Sequence, residues 1–358
     1  MNKLQFKIFT LFVFIGILTS CAQTEQLVPR THIAYKTNDK MSIDGLANEK
    51  VWENVPWSEN FIDIEGIKKP TYKTNVKMLW DEEYYYIFAK IEEPHVWANL
   101  KQRDTIIFYN NDFEVFVDPD GDTHNYFEIE LNALNTVWEL FVTKPYREQH
   151  QPVLNDWNIT GLKTAVQIDG TLNNPNDTDK GWTVEIAIPW KTFRKSYFED
   201  NVPRDDFWRV NFSRVNWDFD LIENRYYRKK DKKGDFLHEY NWVWSPMGVI
   251  NMHEPEKWGY VYFSTKKAGE KDEFTIPADE HIKWKLAELY RAQKSYYSKN
   301  GKWANSLESL DFSSFTVNNE NIEFAIDIHL TGYNISAKSP FSDKTIIIKE
   351  DGKIIVKD

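Results

Sequence analysis

One cysteine in 358 residues excludes any disulfide within the chain. A basic surplus is missing as well: 44 Lys+Arg stand against 55 Asp+Glu, a formal charge of −11. Nucleic-acid recognition draws on a positive footprint, so no nucleic acid is expected as a partner. Glycine and proline are sparse at 14 each, which excludes collagen-like and low-complexity chains. After the first 20 residues no apolar run is long enough for a membrane-spanning helix. The eight histidines show no HExxH spacing, and there is no P-loop, dinucleotide fingerprint or serine nucleophile elbow. Aromatic residues are in excess instead. Tryptophan, tyrosine and phenylalanine make up 16% of the chain, more than one core needs, so some of the rings are expected to face a ligand.

The single cysteine sits where it has a use. Lys3 and Lys7 precede the apolar run IFTLFVFIGIL (8–18), the charged and hydrophobic regions of a secretory signal. The run ends in Leu18-Thr19-Ser20-Cys21, which resembles the lipobox of bacterial lipoproteins. The resemblance implies cleavage after residue 20, lipidation of Cys21 and attachment to the outer membrane on its periplasmic or cell-surface face. Residues 21–39, polar and without pattern beyond the cysteine, read as a tether.

From residue 40 to 264 short alternating runs are separated by turn residues, as in an antiparallel β-sandwich. VKMLW (76–80) and YYYIFAKI (84–91) form one hairpin, and FEVFVD (113–118) and NYFEIELN (125–132) a second, across Pro119-Asp120-Gly121-Asp122. Further strands are expected at 136–142, 162–168, 182–189, 207–215 and 258–264, with long loops at 144–160 and 216–257. Thirteen of the fifteen tryptophans precede residue 265. A charged linker, 265–273, then leads to a small α+β domain, 274–358. Its helix is announced by apolar positions from Ile282 to Tyr297 and stopped at Asn300-Gly301; four strands follow. The stretch LYRAQKSYYSKNGKWANSLESL is similar to the helix and turn of pilin-like domains, and the domain is a candidate for docking a protein partner. The fold class is therefore mainly β: a sandwich followed by a small α+β domain.

Alternation assigns the faces of the second hairpin. Phe113, Val115 and Val117, with Phe127, Ile129 and Leu131, belong to the core, which leaves Glu114, Phe116, Tyr126, Glu128 and Glu130 on the opposite face. Carboxylates beside rings suit a pyranose, whose C–H side packs on a ring while its hydroxyls donate to acceptors. The alternatives are a solvated face, or carboxylates paired with Arg209 and Arg214; paired carboxylates also serve glycoside hydrolysis. The loop carrying Trp217, Arg225, Arg228, Trp242 and Trp244 combines cations and rings that fit an acidic glycan, or simply pack the loop. Asp118, Asp120 and Asp122 are dense in oxygen ligands and make a candidate calcium site, although the spacing is not that of an EF-hand. A tight turn with aspartate as turn former accounts for the same residues.

Six blocks in order, at 41–57, 76–94, 112–136, 181–193, 207–217 and 244–264, resemble family 9 carbohydrate-binding modules, in particular the family-9-like members found in Bacteroidetes lipoproteins. The resemblance implies a β-sandwich holding sugar in an aromatic-lined slot, often with bound calcium. Tyr109 stands where the founding modules have a sugar-stacking tryptophan, and Glu114 matches their hydrogen-bonding glutamate. Glu128 replaces an arginine, and the second stacking tryptophan falls near Met252 and His253. The candidate sugar contacts are thus Tyr109, Glu114, Glu128, Arg214, Trp217, Trp244, Met252 and His253. The expected function is capture of oligo- or polysaccharide for a glycan-degradation system, without catalysis. A glycoside hydrolase or polysaccharide lyase using the sheet-face carboxylates, and a structural surface protein that docks a partner, are the alternatives.

Overall fold

Period-two alternation puts one row of side chains of each strand into a shared core and turns the other row outward. The computed structural model describes residues 27–148, 153–194 and 201–358; Cys21 and the expected leader lie outside them. The strands are β1 (Thr31–Lys36), β2 (Thr74–Trp80), β3 (Tyr84–Glu92), β4 (Asp112–Asp118), β5 (Tyr126–Asn132) and β6 (Val137–Val142). They continue with β7 (Lys163–Asp169), β8 (Gly181–Pro189), β9 (Asp206–Asn216), β10 (Tyr240–Val243) and β11 (Gly259–Lys267). The ladder runs β6-β5-β4-β9-β11-β1-β2-β3-β8-β7, with β10 also on β9. Its two halves face each other across one core. Met78, Ile87 and Ile186 from one layer pack with Val115, Ile129 and Phe212 from the other, and the expected core faces of β4 and β5, together with Trp182, are all buried there.

β1 corrects the sequence reading. Residues 31–36 were expected to belong to a tether, yet they pair in parallel with β11 on one side and with the end of β2 on the other. The register with β11 shifts between Tyr35 and Lys36, where the strand passes from one layer to the other. Its burial is irregular because both layers cover it, and its main partner is far away in sequence. Local alternation could not reveal it. The long loop 216–257 is likewise partly ordered: Phe219–Ile222 pairs with Arg225–Arg228, and β10 joins β9.

The C-terminal domain is one helix on an antiparallel meander, as expected. Helix α1 (Ala278–Asn300) packs Ile282, Leu286, Leu289 and Tyr290 on the meander β12 (Phe324–His329), β13 (Gly332–Lys338), β14 (Thr345–Lys349) and β15 (Ile354–Lys357). Gly301, at φ 66°, ends α1 in the left-handed conformation and donates its N–H to Tyr297 O. The expected linker is shorter than its charge suggested, since β11 extends to Lys267. None of the helices among the described residues is long and apolar enough to cross a membrane.

Polar groups lock this domain to the sandwich. Tyr260 Oη donates to Glu280 Oε2 at 2.9 Å and accepts from Trp284 Nε1 at 3.0 Å, while the Arg209 guanidinium lies 4.1 Å from the Tyr260 ring. Arg147 and Arg291 both contact the buried Glu256 carboxylate. Burial alone would raise the Glu256 pKa, but the two guanidinium groups outweigh it and hold the group at about 2. A carboxylate depressed in the folded state stabilises it above its unfolded pKa of about 4.3, and the effect is lost as pH falls towards about 2. Glu256→Gln should therefore melt well below wild type at pH 7, by on the order of 3 kcal/mol in stability, with the gap closing between pH 4 and 2. Melting curves whose separation stays constant over that range would contradict the assignment.

Candidate functional site

The outer face of β4, β5 and β6 carries the candidate carboxylates because alternation leaves it no other choice. Register places Glu114 opposite Glu130 and Phe116 opposite Glu128 across β4 and β5. Trp138 and Leu140 of β6 stand opposite Glu130 and Glu128 in turn. The face is not solvated. The segment before β11 folds back over it, so that Met247, Met252 and Trp258 pack with Phe116, Tyr126 and Leu140. What remains open is a cavity of about 240 Å³ lined by Glu114, Glu128, Glu130, Tyr146, Met252 and His253, among others. That is below the roughly 300–1,000 Å³ of a usual ligand pocket, which suits the end of a chain better than its middle.

The electrostatics of the cavity follow from burial. Glu114, Glu128 and Glu130 are at most 5% exposed. Burial pushes Glu114 up to about 7, and burial followed by mutual repulsion holds Glu128, Glu130 and the adjoining Asp112 well above the carboxylate range. Phe108 N donates to Glu130 Oε2 at 3.0 Å, whereas Glu128 Oε2 has no hydrogen-bond partner and sits 4.0 Å from His253 Nε2. Burial also lowers His253 to about 3, so the imidazole is neutral. Its Nδ1 shares a 2.8 Å hydrogen bond with Tyr126 Oη, and its ring lies 3.8 Å from that of Tyr146, centroid to centroid. Tyr146 is 41% exposed and forms an open aromatic surface at the rim.

Of the eight residues expected to contact sugar, the cavity brings together four: Glu114, Glu128, Met252 and His253. Tyr109 is displaced by one position, because Phe108 lines the cavity while Tyr109 stacks under Arg228, whose guanidinium is 4.3 Å from its ring. Trp217 shares that arginine at 4.6 Å, donates from Nε1 to Phe108 O at 2.7 Å, and borders a separate pocket of about 260 Å³ with Tyr72, His95 and Trp242.

Arg214 and Trp244 are corrections. Arg214 follows Phe212 by two along β9 and so points inward, away from Glu114. It is fully buried, bonded to Thr74 Oγ1 and Asn216 Oδ1, 3.6 Å from Glu93 Oε2, with the Trp242 ring 5.0 Å away. Trp244 was expected as a loop platform but has no exposed surface, and its ring lies so close to Gly259 that a Cβ there would come within 2.4 Å of it. Neither residue offers a surface to a ligand in this conformation. Sequence reasoning missed Tyr146, Trp138 and Asn251 as lining residues. Trp138 lies on a strand and was reachable by alternation, whereas Tyr146 and Asn251 sit in loops without periodicity.

At the β4–β5 turn, oxygens of Asp118, Asp120 and Asp122 lie within 4.8 Å of one another. Asp118 accepts from the N–H groups of Gly121 and Thr123 at 3.1 and 2.9 Å. Asp122 accepts from His124 N at 2.8 Å and pairs with Lys353 at 3.2 Å. Asp118 and Asp122 thus act as turn formers, and a cation there would compete with the Lys353 ammonium.

Comparison with known proteins adds the following. Residues 43–202 match the family described as carbohydrate family 9 binding domain-like. Similar solved structures include a "putative carbohydrate-binding protein" from Bacteroides uniformis, at 17% identity and a TM-score of 0.49, covering 66% of this chain and 100% of that one. A family 9 carbohydrate-binding module from Caldicellulosiruptor kristjanssonii is similar in its complexes with cellotriose and with glucose. The identities are 15% and 14% and the TM-scores 0.41 and 0.38, each over 68% of this chain and 100% of that chain. No curated protein matches the chain.

Proposed function

We propose that the protein, whose residues 43–202 match the carbohydrate family 9 binding domain-like family, binds the end of an oligo- or polysaccharide chain in the cavity over β4, β5 and β6. The observation that carries this reading is the convergence of carboxylates, the neutral His253 and the exposed Tyr146 ring on one cavity. Acceptors for hydroxyls and a ring for the C–H face are what a pyranose requires. In this reading Cys21 carries the lipid anchor in the outer membrane, and the protein supplies captured glycan to a degradation system. The reading is binding without cleavage, and product analysis tests it.

A glycan array with the soluble chain, followed by calorimetry and product analysis on each hit, tests the reading. Affinity is expected between micromolar and millimolar, roughly −8 to −4 kcal/mol, with the oligosaccharide recovered intact. Tyr146→Ala should weaken binding about tenfold while leaving the melting temperature within a degree or two, since the ring is partly open to solvent. Turnover abolished by Glu114→Gln would make the protein a hydrolase, and wild-type affinity in Tyr146→Ala would remove the cavity from the account.

A further inference from the structure

Beside the cavity, β4 and β5 bring Asp112 next to Glu114 and Glu130, and one carboxylate oxygen from each lies within 4.8 Å of the others. Calcium holds oxygen ligands at about 2.3–2.6 Å, so two ligands of one ion are separated by at most roughly 5 Å. The three carboxylates are therefore already spaced as ligands of a single ion. All are buried, at 0, 5 and 2% exposure.

Two carboxylate oxygens at this place lack partners. Asp112 Oδ1 accepts from Val215 N at 3.2 Å, but its Oδ2 is buried without a hydrogen bond, and the same holds for Glu128 Oε2 on the cavity wall. An ionised carboxylate out of water without a counter-charge is among the costliest groups a protein can hold. Arg214, the cation whose field reaches Asp112, is committed to Glu93, Thr74 and Asn216 on the inner face. The turn at Asp118 to Asp122 shows the contrast: Asp118 accepts from two backbone N–H groups, and Asp122 accepts from His124 N and pairs with Lys353.

We propose that Asp112, Glu114 and Glu130 bind a hard divalent cation of the calcium type at the floor of the cavity, with Glu128 completing the acidic wall. An all-oxygen donor set selects such an ion over zinc or copper, which favour nitrogen and sulfur. Glu114 and Glu130 line the open cavity, so the ion enters from solvent and keeps water on its outward side. The site does not depend on the sugar reading, because the ion alone is its ligand.

The test uses the full chain, stripped with EDTA and returned to chelator-free buffer. Terbium should bind and luminesce on excitation of the protein, with Trp138 and Tyr146 at the cavity as antennae, and calcium chloride should displace it. Calcium chloride should also raise the melting temperature by several degrees in a saturable way. Glu130→Gln should lower calcium affinity tenfold or more, whereas Asp120→Asn at the hairpin should leave it unchanged. If Glu130→Gln does not fold, Asp112→Asn takes its place. No terbium signal together with a flat melting temperature up to millimolar calcium overturns the proposal. So does a calcium response that is lost in Asp120→Asn and kept in the cavity variants, which would put the ion at the hairpin. Glycan binding is not read in any arm, so failure here leaves the sugar proposal standing.

Discussion

Trp244→Ala is expected to destabilise the protein by about 3–5 kcal/mol, enough to lower its melting temperature by roughly 10 °C. The side chain is fully buried, packs near Phe212 with ring centroids 5.9 Å apart, and presses on Gly259, where no side chain would fit. Its Nε1 donates to Glu59 Oε2 at 3.4 Å, so truncation removes a hydrogen bond besides leaving a void. Urea denaturation of wild type and variant measures the difference. A variant that unfolds with wild-type midpoint but binds glycan poorly would restore Trp244 as a sugar platform.

The second large effect lies at the buried pair of Arg214 and Glu93. Glu93 accepts from Trp182 Nε1 at 2.7 Å and Asn111 Nδ2 at 2.6 Å, yet burial still holds its pKa above the usual value, opposed by the Arg214 charge. Removing one member of such a pair strands the other in the core and costs about 3–5 kcal/mol, whereas replacing both with apolar or neutral groups of similar volume costs much less. Arg214→Ala should accordingly rank with Trp244→Ala in chemical denaturation. Combining Arg214→Met with Glu93→Gln should recover most of the loss. If Arg214→Ala stays within about 1 kcal/mol of wild type while weakening glycan capture, the arginine belongs to the site after all.

Both cases mark where the sequence was legible and where it was not. Period two correctly separated Phe113, Val115 and Val117 from Glu114, because a strand face is fixed by its neighbours at i±2. The same rule, carried along β9 from Phe212, turns Arg214 inward; its charge had suggested the opposite. Trp244 lies just past β10 among rings and cations that looked like a binding loop, and only the close approach of Gly259, distant in sequence, shows it to be core. Tyr146 reaches the cavity through its stack on His253, a long-range contact between two loops. Loops follow no period, so such residues have no signature until the chain is folded. The helix and meander of the C-terminal domain were legible because their contacts are local; their attachment through Glu256 and Glu280 was not.

The position of β1 also sets an order of events. Arg30 N bonds Ser245 Oγ across 215 residues of sequence, and the adjoining strand finds nearly all its ladder partners on β11. Contacts of such separation form late and slow the folding of the domains that need them. A chain emerging N-terminus first therefore carries residues 31–36 unpaired until β11 has followed, with only Tyr35 and Lys36 able to find β2 beforehand. Until then one edge of each layer stays open, and the nascent protein is most exposed to aggregation and proteolysis just before its last sandwich strand is delivered.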